Sequence, residues 1–245
     1  MKNIILTIVL ISFTLNQEWN YTADILEKKF ENDSEVRIFK SKNMNEQNVV
    51  IERDTISIFT YQAKQYIKKN ELHFIGPVLM INGSDSLKCD NMIYWYEKDS
   101  LQAAGKVNFN FKNSSLKSDS LKYVQTNGFR GYSFETSGNS VLNDSIYHIS
   151  AYNIIYDDIT QIMNLKSDAK VKSNNQGVSG ENIILKFRDS LINNINISEN
   201  GYIFNNHFAL TKNTNYQLFK DEMFGNNINI KMSNNKLNEV KMKGM

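Results

Sequence analysis

Apolar and polar side chains alternate with a period of two along most of this chain. The pattern is cleanest at Val107-Asn108-Phe109-Asn110-Phe111, where three apolar side chains fall on one face. That alternation marks a half-buried strand. Val36, Ile38 and Lys40 alternate with Arg37, Phe39 and Ser41, and Ile56, Ile58 and Thr60 alternate with Ser57, Phe59 and Tyr61. Residues 62–69 read as a further strand, because Ala63-x-x-Tyr66 sits where Asn91-x-x-Tyr94 sits one period later. Met92, Tyr94 and Tyr96 oppose Ile93 and Trp95, so that strand is apolar on both faces, and one explanation is a strand between a core and a second covering layer.

The strands repeat in register. Gly76-Pro77-Val78 is answered 29 residues later by Gly105-Lys106-Val107, Leu87-Lys88-Cys89-Asp90 by Leu116-Lys117-Ser118-Asp119, and Tyr94 by Tyr123. A fixed interval shared by three landmarks is the mark of a structural repeat. Each unit reads as a strand, a turn at Gly-x-Val, a second strand, and a turn opened by Asp-Ser. Asp followed by Ser or Thr recurs at Asp54, Asp85, Asp99, Asp119, Asp144 and Asp189, and a short polar side chain that bonds its own backbone favours a turn. Asn127-Gly128-Phe129-Arg130-Gly131 breaks the rhythm with a wider loop. Residues 149–156 then overlay 116–123, residues 180–187 take the same place, and residues 225–232 repeat 180–187. The last repeat stops at Met245, which reads as a truncated frame or as an unfinished sheet edge.

Length and composition narrow the class. The chain has 245 residues, 28 Lys and Arg against 26 Asp and Glu, a net charge of +2 and one proline. No basic stripe for nucleic acid appears. The single cysteine, Cys89, excludes an intramolecular disulfide and falls with Leu87 on the apolar side of its segment, as a buried thiol would. Met1-Lys2-Asn3 and the apolar residues 4–15 form a secretory signal over residues 1–16, or a short uncleaved anchor. Either way the body of the chain is exported. His73, His148 and His207 lack metal-ligand spacing, so no metal and no cofactor is expected. Asp157-Asp158 reads as a turn, and no phosphate loop or nucleophile triad is present, so no catalytic residue is assigned.

The ordered series Leu72-His73-Phe74-Ile75-Gly76-Pro77-Val78, Leu87-x-Cys89-Asp90-x-x-x-Tyr94, Leu101-x-Ala103-x-Gly105-x-Val107 and Leu116-x-Ser118-Asp119-x-x-x-Tyr123 resembles the OstA-like family. Its members include the periplasmic lipopolysaccharide-transport proteins LptA and LptC. The resemblance implies an all-β, repeat-built antiparallel β-jellyroll over residues 17–245, forming a slanted open groove. Residues 17–70 look LptC-like and residues 71–245 LptA-like. It further implies that acyl chains of lipid A lie in the groove, that other Lpt-type proteins join by edge-strand pairing, and that the chain works in the periplasm. Homo-oligomers are compatible with that pairing.

On this reading Phe74, Val78, Met80, Ile93, Trp95, Val107, Phe109, Phe111 and Leu121 line one interior. Lys106, Lys112, Lys117 and Arg130 are candidates for lipid phosphates at its mouth. The same apolar residues would also suit a closed sandwich core. Two rival classes remain open: an edge-polymerising envelope protein without a lipid, and a carbohydrate-binding β-sandwich that would use Trp95 and Tyr96 as a flat platform.

Overall fold

The computed structural model describes residues 19–31, 34–43, 45–126, 131–210, 216–233 and 236–243. They form antiparallel strands almost throughout, in two compact units divided between Gln125 and Thr126. The signal segment and Arg130 lie outside the described residues.

The first unit opens with six short strands: β1 (Asn20–Thr22), β2 (Ile25–Glu31), β3 (Ser34–Lys40), β4 (Val49–Arg53), β5 (Ile56–Thr60) and β6 (Gln62–Tyr66). Four long strands follow: β7 (Glu71–Asn82), β8 (Asp85–Trp95), β9 (Ser100–Phe111) and β10 (Ser114–Thr126). Residues 62–69 are only partly the expected strand. The chain leaves β6 at Tyr66, makes a 3₁₀ turn over Ile67–Lys69, and exits through Asn70 in the left-handed region at φ 56°.

The short strands sort into two layers because β7 pairs differently along its length. Its first half pairs with β6, from Glu71 opposite Tyr66 to Ile75 opposite Gln62. Its second half pairs with β5, from Leu79 opposite Phe59 to Asn82 opposite Ile56. Beyond β6 lie β3 and β2; beyond β5 lie β4 and β1. Side chains bridge the layers. Tyr21 of β1 stacks on Phe39 of β3 at 4.8 Å, and Gln65 of β6 donates to the Tyr21 hydroxyl at 2.9 Å.

The Gly-x-Val and Asp landmarks prove to be the two sides of one bend rather than turns. The β7–β8 register shifts between Ile75 and Val78, the β8–β9 register between Lys88 and Asn91, and the β9–β10 register between Ser118 and Ser120. Gly76 and Gly105, at φ +93° and +77°, sit at this line of β-bulges, and Asp90 packs against Gly105. A bulge adds a residue to one strand and bends it, so each long strand passes from one layer to the other here. The true hairpin turns are Gly83-Ser84, residues 96–99 and Lys112-Asn113.

The second unit repeats the plan. Its strands are β11 (Gly131–Ser137), β12 (Ser140–Asn143), β13 (His148–Ala151), β14 (Asn153–Asp157), β15 (Ile162–Ser173), β16 (Gln176–Arg188), β17 (Leu191–Leu210), β18 (Tyr216–Ser233) and β19 (Lys236–Lys243). Residues 149–156, expected to overlay one long strand, are instead two. The chain breaks at Tyr152, whose N–H donates to the Ser167 carbonyl at 2.9 Å. β14 and β13 then pair with the first and second halves of β15. A second bulge line runs through Ser167-Asp168 and Glu199-Asn200, all at positive φ.

Candidate ligand-binding interior

In the first unit the inner face is built from alternate residues, and the bulge decides which ones. Phe74, Val78, Val107 and Leu121 are almost fully buried, and Met80 and Phe111 are nearly so. On β8 the inward series runs Leu87, Cys89 and then, past the register shift, Met92 and Tyr94. Ile93 and Trp95 therefore do not join this interior. They are half-buried on the opposite face, where the Trp95 indole N–H donates to Glu71 Oε1 at 3.0 Å. The sequence reading carried one parity through Asp90, and a one-residue shift turns every later side chain over. Met92 and Tyr94 were the interior residues it missed; the paired Gly105 and Asp90 landmarks were the signal of the shift.

Phe109 is half-buried at the inner boundary. Its ring stacks on Phe111 at 4.7 Å and meets Tyr123 edge-on at 5.9 Å. Phe109 and Tyr123 lie on opposite sides of the bulge line, so this cluster spans the two layers. Lys106, at φ +48° on the bulge, and Lys112, at the β9–β10 turn, are exposed. Lys117 is exposed too, but it alternates with inward Leu116 and Ser118 and so faces outward.

Arg53, Tyr94 and Asp99 form a polar cluster in the first unit. Arg53 donates to the Tyr94 hydroxyl at 2.9 Å and to Asp99 Oδ1 at 2.5 Å, with its guanidinium 4.5 Å above the Trp19 ring. Tyr94 in turn donates to Asp99 Oδ1 at 2.7 Å. Burial, and then the hydrogen bond to Asp99, hold the Tyr94 hydroxyl above its usual range. Burial likewise pushes the Cys89 thiol up to about 12, which leaves it protonated and inert.

In the second unit Ile149, Ile154, Leu165, Ile183 and Leu185 fill the space between the layers. An apolar void of about 40 Å³ remains beside Tyr147, Val171, Ile195, Ile203 and Ile230. That is room for a few water molecules, each of which needs about 10–15 Å³ of such space.

Polar clusters elsewhere have local explanations. His73 meets Glu71 Oε2 at 2.9 Å, His148 meets the Asn143 amide oxygen, and His207 lies 3.4 Å from Asp221. Asp157 accepts from the N–H groups of Ile159 and Thr160, a turn as expected. Among the described residues no three His, Cys, Asp or Glu side chains gather as a metal site, and no helix is long and apolar enough to cross a membrane.

Bent antiparallel strands in two layers around an apolar interior define a β-jellyroll. The family model described as LptA/(LptD N-terminal domain) LPS transport protein matches residues 57–190, more than half of the chain, and the chain belongs to that family. Among solved structures it is similar to LptH, the LptA homologous periplasmic component of the conserved lipopolysaccharide transport device from Pseudomonas aeruginosa. The identity is 13%, the TM-score is 0.27, and the match covers 67% of this chain and 93% of that one. A search of curated proteins finds no match.

Proposed function

We propose that this protein is a periplasmic lipopolysaccharide carrier that takes the acyl chains of lipid A between its two β-layers and passes the lipid from the inner toward the outer membrane. The observation that carries the reading is the Phe109–Phe111–Tyr123 cluster. It joins the layers with apolar rings, and Phe109 is only half-buried, so a hydrocarbon chain can replace ring contacts there with contacts of the same kind. Phe74, Val78, Met80, Val107 and Leu121 continue that surface inward. Each methylene taken from water contributes about 0.8 kcal/mol, so a dozen would contribute on the order of 10 kcal/mol before entropy costs. Transfer of this kind requires no bond to be made or broken. Partners are other Lpt-type β-jellyrolls that extend the sheet by edge-strand pairing.

The test is titration of the purified chain with lipid A, followed by native mass spectrometry. A bound mass is expected for the native chain and its loss for Phe109→Asp, which sets a carboxylate among the rings while the circular dichroism stays unchanged. Normal lipid binding by a folded Phe109→Asp chain would remove the groove from this position.

A further inference from the structure

The outer face of the second unit carries a concave site. Three cross-strand rows build it on β15, β16, β17 and β18. Lys170, Ser179, Tyr202 and Phe224 form the first row, Lys172, Gly177, Phe204 and Glu222 the second, and Asn206 opposite Lys220 the third. The inner sides of these strands carry Val171, Val178 and Ile203, which are buried. The rows therefore alternate with these inward side chains, and of the row residues Gly177 and Phe204 also border the interior void.

Gly177 makes the hollow. A Cβ there would lie 2.5 Å from Cε1 of Phe204, so glycine lets the Phe204 ring settle onto the strand backbone. Tyr202 stacks beside it at 6.1 Å between ring centres and 30° between planes. The two rings make an apolar floor. Lys220 stands over both, its ammonium 5.7 Å from each ring centre, while Lys170 and Lys172 stand on the β15 side. The hollow measures about 380 Å³, at the small end of the roughly 300–1,000 Å³ typical of ligand pockets.

Its charge is positive but restrained. Lys170 pairs with Asp168 at 2.8 Å and Lys220 with Glu222 at 2.5 Å, whereas Lys172 has no carboxylate within ion-pair range among the described residues. The Tyr202 hydroxyl donates to Glu222 and ties the floor to that pair. A flat aromatic floor accepts the C–H face of a sugar ring, and ammonium groups around it accept a phosphate. We infer that this outer hollow binds a phosphorylated monosaccharide unit, its ring on Tyr202 and Phe204 and its phosphate toward Lys172. The inference is independent of lipid binding in the interior.

The test uses the full chain, isothermal titration calorimetry, and three probes: glucose 6-phosphate, glucose and inorganic phosphate. Saturable binding of glucose 6-phosphate is expected. Inorganic phosphate should bind about tenfold more weakly and glucose weaker still. Lys172→Gln, a surface change that leaves the thermal midpoint in place, should weaken glucose 6-phosphate by about tenfold through loss of a charge-assisted contact. Phe204→Leu should weaken it while leaving inorganic phosphate unchanged. Phe109→Asp should leave it untouched, so failure of the interior reading and failure of this one are distinguishable. No saturation, equal binding of inorganic phosphate, or indifference to both Lys172→Gln and Phe204→Leu would overturn the inference. Competition by lipid A micelles, run on Phe109→Asp, identifies the source. Displacement assigns a membrane glycolipid headgroup and its absence a soluble sugar phosphate, and either result upholds the site.

Discussion

Gly83 and Gly105 form a natural matched pair for testing the bulge line. Both adopt positive φ, +59° and +77°. A Cβ at Gly83 meets nothing within 4 Å, whereas one at Gly105 would lie 2.5 Å from Oδ2 and 2.8 Å from Cβ of Asp90. The left-handed conformation costs an L-residue about 1–2 kcal/mol, and alanine's stiffer unfolded chain offsets about 0.4–1 kcal/mol of that. Gly83→Ala should therefore destabilise by about 1 kcal/mol. Gly105→Ala adds overpacking worth about 1–3 kcal/mol, because the Asp90 Cβ is fixed to the backbone and cannot rotate away. The expected total is about 2–4 kcal/mol. Urea unfolding followed by tryptophan fluorescence reads this directly, since Trp19 and Trp95 both belong to the first unit. Asp90→Gly removes the obstructing atoms, so a double-mutant cycle should show a favourable coupling of about 1 kcal/mol or more. If Gly105→Ala proves as mild as Gly83→Ala, or if Asp90→Gly restores nothing, the close packing across the bulge is wrong.

Three further outcomes follow from the same interior. Met92→Ala should cost about 2–5 kcal/mol as a core truncation, and Ile93→Ala well under half of that; equal costs in urea unfolding would contradict the inward assignment of Met92. Arg53→Ala strips Asp99 and Tyr94 of their buried cation and should destabilise by about 3–5 kcal/mol, read by the same assay; a loss under about 1 kcal/mol would make the pair a surface-type bridge. Cys89 should be silent to a thiol reagent at pH 8 and react fully on unfolding, because burial pushes its folded thiol up to about 12 from an ordinary 9.0. A thiol raised in the folded state contributes stability that is complete below about pH 9 and is lost as pH rises toward 12. Tyr94 is shifted in the same sense, so Cys89→Ala should flatten only part of the alkaline loss, as thermal midpoints measured across that window would show.

Much of this architecture could be read from side-chain order. Alternation located β3, β5 and β9, because burying one face of a strand demands a period of two. The interval of 29 residues marks the bulge line, since a glycine at positive φ recurs there at Gly76 and Gly105. Local sequence could not say whether Gly-x-Val turned the chain or bent a continuing strand. That depends on whether hydrogen bonding to neighbours resumes beyond it, and the partners lie tens of residues away.

The same limit explains Ile93 and Trp95. A strand apolar on both faces carries no local mark of which face is inside, so only the register shift opposite Gly105 assigns Met92 and Tyr94 to the core. The outer hollow was equally hidden, because Lys172, Gly177, Phe204 and Lys220 become neighbours only through pairing across β15 to β18. Sequence alone determined that the chain forms repeated antiparallel strands with an apolar side, because that pattern follows from each residue and its near neighbours. Tertiary structure alone decided which side is enclosed, where the strands cross between layers, and which distant residues share a surface, because those depend on register between strands.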